Sequence, residues 1–200
     1  MQGRVRRSNQ DRSHATRAAL IAAARELFVT RGYAETGTPE LVAAAGMTRG
    51  ALYHHFADKQ AIFRAVVEAE NAALAEEIER AAPAELPPIE ALASGGEAFL
   101  GAMTVSGRTR LLLIDAPAVL GREAVDAIDA EHGGRTLREG LSAAMAAGVL
   151  RVLPVEVAAQ LLSAVYDRAA LSIEAGADAG AWQAVIRAVL EGMAARSDQA

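Results

Sequence analysis

The stretch GMTRGALYHHFADKQAIF, residues 46–63, holds three of the chain's seven Phe and Tyr residues and two of its four His. Gly46 is followed by Thr48, whose hydroxyl can accept from the unpaired amides that open a helix, and the run from Arg49 to His55 supplies two turns before Asp58 offers a second cap. Just upstream, Thr36-Gly37-Thr38-Pro39 marks another start, with proline tolerated in a first turn, and Glu40 to Ala45 reaches only two turns before Gly46. Two short helices joined by Gly46-Met47-Thr48 make a helix-turn-helix, because glycine takes the left-handed backbone that a tight turn requires. Leu41, Ala45, Met47, Leu52 and Phe56 supply the faces that such a pair buries. Arg49, Gly50, Tyr53 and His54 are left pointing outward. A guanidinium, a residue that permits close backbone approach, a phenol and an imidazole suit base edges in a major groove and the phosphates beside it; the amides opening the helix also favour phosphate.

Outward from this motif the chain reads as helices. From Ser13 to Arg31, Leu20, Ala24, Leu27 and Phe28 recur on one helix face, and Gly32 supplies the stop. The helix capped by Asp58 runs to about Ala81, after which Pro83, Pro87 and Pro88 mark a join between two parts. Further helices are expected over 88–104, 107–115, 117–132, 135–148, 154–175 and 179–196, separated by Gly107, Pro117, Gly133-Gly134, Gly148 with Pro154, and Gly176 to Gly180. No alternating strand pattern, internal repeat or sustained heptad array competes. The fold class is therefore all-α, with about nine to ten helices: an N-terminal three-helix helix-turn-helix domain and a larger C-terminal helical domain. We divide the chain into a basic, disordered arm (1–12), the helix-turn-helix domain (13–60), a connecting fourth helix (61–82) and the remaining helical domain (83–200).

Charge supports that division. Residues 1–60 carry nine Lys and Arg against five Asp and Glu, a net +4, while the remainder carries eleven against twenty, a net −9. A basic first part joined to an acidic larger part suits a polyanion-binding module attached to something that stays off the polyanion. The absence of Cys excludes disulfides, thiolate nucleophiles and Cys-ligated zinc. No apolar run approaches the roughly 20 residues that cross a bilayer, and the basic, polar start lacks a secretory segment, so the expected location is the cytoplasm, away from membranes.

Residues 16–63, TRAALIAAARELFVTRGYAETGTPELVAAAGMTRGALYHHFADKQAIF, resemble the N-terminal DNA-binding domain of the TetR family of bacterial transcriptional regulators. The most specific part is AGMTRGALYHHFADKQAIF, similar to the family's Ala-Gly-Val-Ser-Lys-Gly, variable, Leu-Tyr, variable, His-Phe and later Lys arrangement. The resemblance implies that Thr48, Arg49, Gly50, Ala51, Tyr53, His54 and His55 face DNA bases or phosphates, that Thr38 meets a phosphate near the start of the second helix, and that Lys59 does so at the start of the fourth. Lys59 is the only lysine in the chain, and a cation in a first helical turn is mildly disfavoured by the dipole, which asks for another reason such as a phosphate. His55, beside Phe56, also fits a packed structural role. Gly37 stands where the family often has Ser or Thr, and Val42 where a small Ala is usual, which weakens any detailed transfer of second-helix contacts. Arg4, Arg6 and Arg7 could reach a minor groove or flanking phosphates as an auxiliary arm.

For the larger part the resemblance implies a ligand-binding and dimerisation domain, in which two helices from each subunit form a four-helix bundle and the middle helices enclose a pocket. Leu161, Leu162, Val165 and Ala169, with Trp182, Val185, Ile186, Val189 and Met193, follow helical spacing suited to that bundle, and equally to one subunit's own core. Phe99, Met103, Leu112, Asp115, His132, Met145 and Tyr166 are the pocket candidates, apolar with a few polar groups. Asp115, closing LLLID just before Ala-Pro, reads first as the cap of the next helix and second as a buried partner for a cationic effector. Asp126, Asp129, Glu131 and His132 read as a solvated acidic helix end, since only Asp129 and His132 are three apart on one face and no second His cluster follows.

The expected function is a homodimeric repressor released from a palindromic double-stranded DNA operator by a small-molecule effector, with no cofactor and no metal. The alternatives are a regulator controlled by a protein partner and an all-helical enzyme. Nothing in the chain supplies a nucleophile–base set, a P-loop or a dinucleotide fingerprint for the last.

Overall fold

Local signals place the helix ends almost where they are found. In the computed structural model, which describes residues 9–83 and 85–195, the order is α1 (Asn9–Arg31), α2 (Thr38–Ala44), α3 (Arg49–His55), α4 (Lys59–Ala81), α5 (Pro88–Met103), α6 (Arg108–Arg110), a π-helical turn (Leu111–Asp115), α7 (Ala116–Leu120), α8 (Arg122–Glu131), α9 (Gly133–Ala146), α10 (Val155–Glu174) and α11 (Ala179–Gly192). Among the described residues there is no strand, only an isolated bridge between Leu150 and Ala194. Arg4, Arg6 and Arg7 lie outside the described residues. The chain forms two compact units, one ending at Glu68 and the other beginning at Ala69, so that α4 contributes to both.

The first unit is built on aromatic and aliphatic packing. Leu20, Ala24 and Phe28 of α1 are buried with Leu41, Leu52, Phe56, Ile62 and Phe63. Phe28, Tyr33 and Phe63 form a triangle of rings with centroids 5.0–5.7 Å apart, the edge-to-face spacing that aromatic quadrupoles prefer. Gly46 has φ +64° and closes a Schellman turn: its N–H donates to Ala43 O and that of Met47 to Val42 O. Thr48 Oγ1 accepts from Ala51 N at 3.2 Å and Asp58 Oδ1 from Ala61 N at 2.7 Å, so both expected caps are made. Ala45 and Met47, expected inside, are half-exposed because the turn carries them past the α2–α3 seam; Val42 is buried there.

In the second unit α5, α9 and α10 pack together, with α8 against α9 and α11 against α5 and α10. Leu92, Leu100, Met103, Leu111, Leu112, Ile128, Leu141, Leu162, Ala169, Ile186 and Leu190 fill its interior. Two expectations fail here. The break predicted at Pro117 is absent: the chain stays helical from Arg108 to Leu120 and stops instead at Gly121, whose φ of 86° and ψ of 153° only glycine adopts easily. A proline inside a helix lacks an N–H for the carbonyl four residues back and crowds it, and the widened π turn just before Pro117, where Ala116 N–H reaches Leu111 O, is where that strain is accommodated. Asp115 is consequently not a cap. It sits inside the continuous helix, and the π turn brings its carboxylate to Arg110, five residues back, at 3.5 Å. The second difference is that Gly133 and Gly134, expected as a separator, are the first residues of α9, and the break falls at His132.

A buried ion network ties α4 to the start of α6. Arg108, 6% exposed, donates from Nε to Glu70 at 2.9 Å and from one terminal nitrogen to Glu77 and to the Ala102 carbonyl, both at 3.0 Å. A cation this deep is tolerable only because carboxylates and a carbonyl take up its donors.

Candidate functional site

The candidate nucleic-acid surface is the outer side of α2 and α3. Gly46 sets the turn and the Thr48 cap fixes the first residue of α3, after which the helical period sends Leu52 inward, fully buried, and leaves Arg49, Gly50, Tyr53 and His54 exposed. Ala51 and His55 are half-exposed at the edge of that face. The Arg49 guanidinium lies 5.5 Å from the centre of the Tyr53 ring. Hydrogen bonds to Arg49 first, and then to Thr38, hold the Tyr53 phenol below its ordinary pKa, while slight burial works the other way. Thr38, Arg49 and Tyr53 thus form one cluster across the α2–α3 turn. His54 and His55 stand edge to face, with centroids 5.2 Å apart.

Two further contacts hold this face in place. Glu40 accepts the Gly37 N–H at 2.9 Å and pairs with Arg31, and these interactions keep its carboxyl below the usual range, the backbone hydrogen bond most of all. Lys59 does something that sequence reasoning missed. Its ammonium donates to Tyr33 O at 2.9 Å and lies 4.2 Å from the Tyr33 ring centre, so it closes the α1–α2 loop onto α4. The signal was a single lysine with an aromatic residue 26 positions back, a non-local pairing that no local pattern reveals.

The second unit contains a cavity of about 370 Å³, large enough for a small organic molecule. Ile78 and Glu79 of α4, Leu92 and Phe99 of α5, Leu137 of α9 and Tyr166 of α10 are among its walls. Gly95, Gly96, Gly133, Gly134 and Gly140 also face it. Of the seven sequence candidates, the structure brings Phe99 and Tyr166 to this cavity. Met103 and Leu112 are buried elsewhere in the core, Asp115 lies on the π turn, and His132 and Met145 are half-exposed outside the lining. Asp129, read from sequence as part of a solvated acidic end, lines the cavity instead. Its carboxyl is pushed up chiefly by burial, against the opposing effect of the Gly134 N–H that it accepts. Glycine gives the carboxylate room there: a Cβ on Gly134 would stand 2.8 Å from Asp129 Oδ2 and 3.0 Å from the Asp129 carbonyl oxygen, so that one of them would have to move. Among the described residues no group of three or more His, Asp or Glu converges as metal ligands would, and no helix is long and apolar enough to cross a membrane.

The nine bundle candidates divide by exposure. Leu162, Ala169 and Ile186 are this unit's own core; Val165, Trp182 and Met193 are half-exposed; Leu161, Val185 and Val189 are exposed at 64%, 61% and 43%. Val157, 63% exposed and one turn before Leu161, extends the same stripe of α10.

Comparison with known proteins agrees with this geometry. Residues 20–66 match the family described as bacterial regulatory proteins, tetR family, and residues 89–196 match the tetracyclin repressor-like C-terminal domain. The HTH-type transcriptional repressor BepR of Brucella suis is 42% identical over 52 residues, which are 26% of this chain and 25% of BepR. The A-factor receptor protein of Streptomyces griseus is 31% identical over 103 residues, 52% of this chain and 35% of the receptor. The matched segments thus span between a quarter and about a third of these two curated relatives. A TetR-family transcriptional regulator from Pectobacterium atrosepticum, known as a crystal structure, superposes with a TM-score of 0.73 at 31% identity, covering 95% of this chain and 99% of that one. These likenesses are to transcription factors and not to enzymes, and together they show that the chain belongs to the tetR family of bacterial regulatory proteins.

Proposed function

We propose that the protein is a homodimeric repressor, acting in the cytoplasm, that holds a palindromic DNA operator through α3 and leaves it when a small molecule fills the cavity of the second unit. The observation that carries this reading is the outward face of α3, where Arg49, Gly50, Tyr53 and His54 are exposed above a buried Leu52 while Thr38 adjoins Tyr53. Arg49 suits the acceptors of guanine, Tyr53 and Thr38 suit phosphate oxygens, and Gly50 lets the backbone approach closely. Thr48, Ala51, His55 and Lys59 complete the proposed DNA-facing set. On this reading residues 13–60 engage DNA, 61–82 connect, and 83–200 sense the effector and dimerise.

Dimerisation is supported by the apolar stripe of Val157, Leu161, Val185 and Val189, side chains that water disfavours and that a second copy would cover. Two recognition helices about 34 Å apart read both halves of a palindrome, so a change in their separation releases both. α4 begins at Lys59 and carries Ile78 and Glu79 in the cavity wall, so one helix links the two roles. An effector acts by binding the DNA-incompetent arrangement more tightly than the competent one.

The test is selection of bound fragments from the organism's own genome, followed by comparison with Tyr53→Ala. The selected fragments should share an inverted repeat, and the variant should lose roughly ten- to hundredfold in specific affinity at unchanged helicity. Undiminished operator affinity in the variant, or a strictly monomeric protein, defeats the proposal.

A further inference from the structure

The charges around the cavity define what it can accept. Three carboxylates line it, Glu79, Asp129 and Glu139, and no Lys, Arg or His does. The nearby Arg135 is already committed, donating to Glu79 at 2.5 Å and to Glu139 at 3.1 Å. Asp129 differs from the two glutamates. It forms no salt bridge among the described residues, accepts the Gly134 N–H, and feels Asp126 as a like charge, with Arg138 and His132 acting the other way. Arg138 itself donates to the Ala130 carbonyl and pairs with Glu156. Tyr166, 7% exposed, also lines the cavity; its hydroxyl makes no hydrogen bond among the described residues, and the charges it feels are those of Glu97 and Arg187, with which it lines a second, smaller pocket. Since no fully enclosed side-chain oxygen or nitrogen among the described residues lacks a partner, the Tyr166 oxygen keeps some contact with open space. The remaining walls, Ile78, Leu92, Phe99 and Leu137 among them, are apolar.

We propose that this cavity takes a compound with an apolar body and a protonated amine, the amine donating to the Asp129 carboxylate and the body lying against walls that include Leu92, Phe99 and the Tyr166 ring. The inference rests on the cavity being the effector site. An N⁺–H donor gives Asp129 the direct ion pair that the described residues do not, whereas a ligand carboxylate meets that carboxylate, with Glu79 and Glu139 already paired to Arg135 and no cation in the lining.

The experiment uses the full chain without DNA and three probes with one apolar body: 4-phenylbutylamine, 4-phenylbutan-1-ol and 4-phenylbutanoate, titrated by calorimetry at pH 7. The amine should bind roughly tenfold or more tightly than the alcohol, and the carboxylate weakest, the difference expected of one charge-assisted hydrogen bond. In Asp129→Asn the advantage of the amine over the alcohol should vanish while the alcohol's affinity changes less than about twofold. The wild-type ranking decides the charge of the ligand even where the variant folds poorly. Equal or tighter binding of the carboxylate, no binding by any of the three up to their solubility limits, or an amine preference that survives in Asp129→Asn overturns the proposal. Because no operator is present, failure here is distinct from failure of the DNA-binding reading, which appears only in the fragment selection.

Discussion

The Lys59 ammonium donates to the Tyr33 carbonyl at 2.9 Å while lying 4.2 Å from the centre of the same residue's ring. One side chain therefore satisfies a loop carbonyl and adds a cation–π contact. Replacing Lys59 with Met keeps the stem and removes the charge. Thermal unfolding without DNA should show a loss of about 1 kcal/mol. Operator affinity should fall at every sequence, with a salt slope shallower by about one. A normal melting curve would remove the loop-clamping role, and a normal slope the phosphate role.

Arg108 makes a different kind of prediction because its partners are unequally buried, Glu70 at 11% side-chain exposure and Glu77 at 33%. Arg108→Met leaves the Glu70 carboxylate buried with its main cation gone and should cost about 3–5 kcal/mol in chemical unfolding followed by circular dichroism. Glu77→Gln, nearer solvent, should cost about 1 kcal/mol or less. Equal costs for the two would show that burial does not set the energetics of this network.

Asp167 gives the second unit a pH signature. Burial first, and then the neighbouring charge of Asp129, push its carboxyl up to about 6, with Arg122 opposing and Asp126 assisting. The folded state thus holds this proton more tightly than the unfolded chain does. Its stabilising effect is complete below about pH 4 and is lost as pH rises through about 6. Asp167→Asn should therefore be more stable than the parent at pH 7, by on the order of 1–3 kcal/mol, and should match it near pH 4. A difference independent of pH between 4 and 7 would rule out the carboxyl as its source.

Gly96 and Tyr166 fit each other at close quarters: a Cβ on Gly96 would stand 1.9 Å from the Tyr166 hydroxyl oxygen. Gly96→Ala must drive the ring aside and should cost about 1–3 kcal/mol. Combined with Tyr166→Ala, the added methyl has no ring to strike, so the double variant should lose distinctly less than the sum of the two single losses. Additive losses in a thermal double-mutant cycle would mean that the two residues do not share this space.

What could be read from the sequence was what neighbouring residues decide. The Gly46 turn, the Thr48 and Asp58 caps and the inward Leu52 depend on atoms a few residues apart, and the structure has them. Pro117 and Asp115 depart from the local pattern because a π turn, which no sequence signal marks, absorbs the proline and keeps the aspartate inside the helix. The cavity was largely illegible. Phe99 and Tyr166 reach it, but Met103 and Leu112 have the same composition and go to the core, since which face of a helix meets a void depends on how α5, α9 and α10 cross. Asp129 was hidden by its neighbours in sequence, an acidic run that looks solvated until Gly133 and Gly134 let α9 close over it.

Five glycines face that void, which is therefore shaped in part by side chains that are missing. A methyl added at Gly95 would meet Ile78 at 3.4 Å, an ordinary contact, whereas one at Gly140 would meet Leu92 at 2.8 Å and force it to shift. Neither change touches α2 or α3. On the function proposed above, single-codon steps there would retune which chemical signal is sensed while the address read on the chromosome stays fixed, an uncoupling that would let such a sensor diversify quickly.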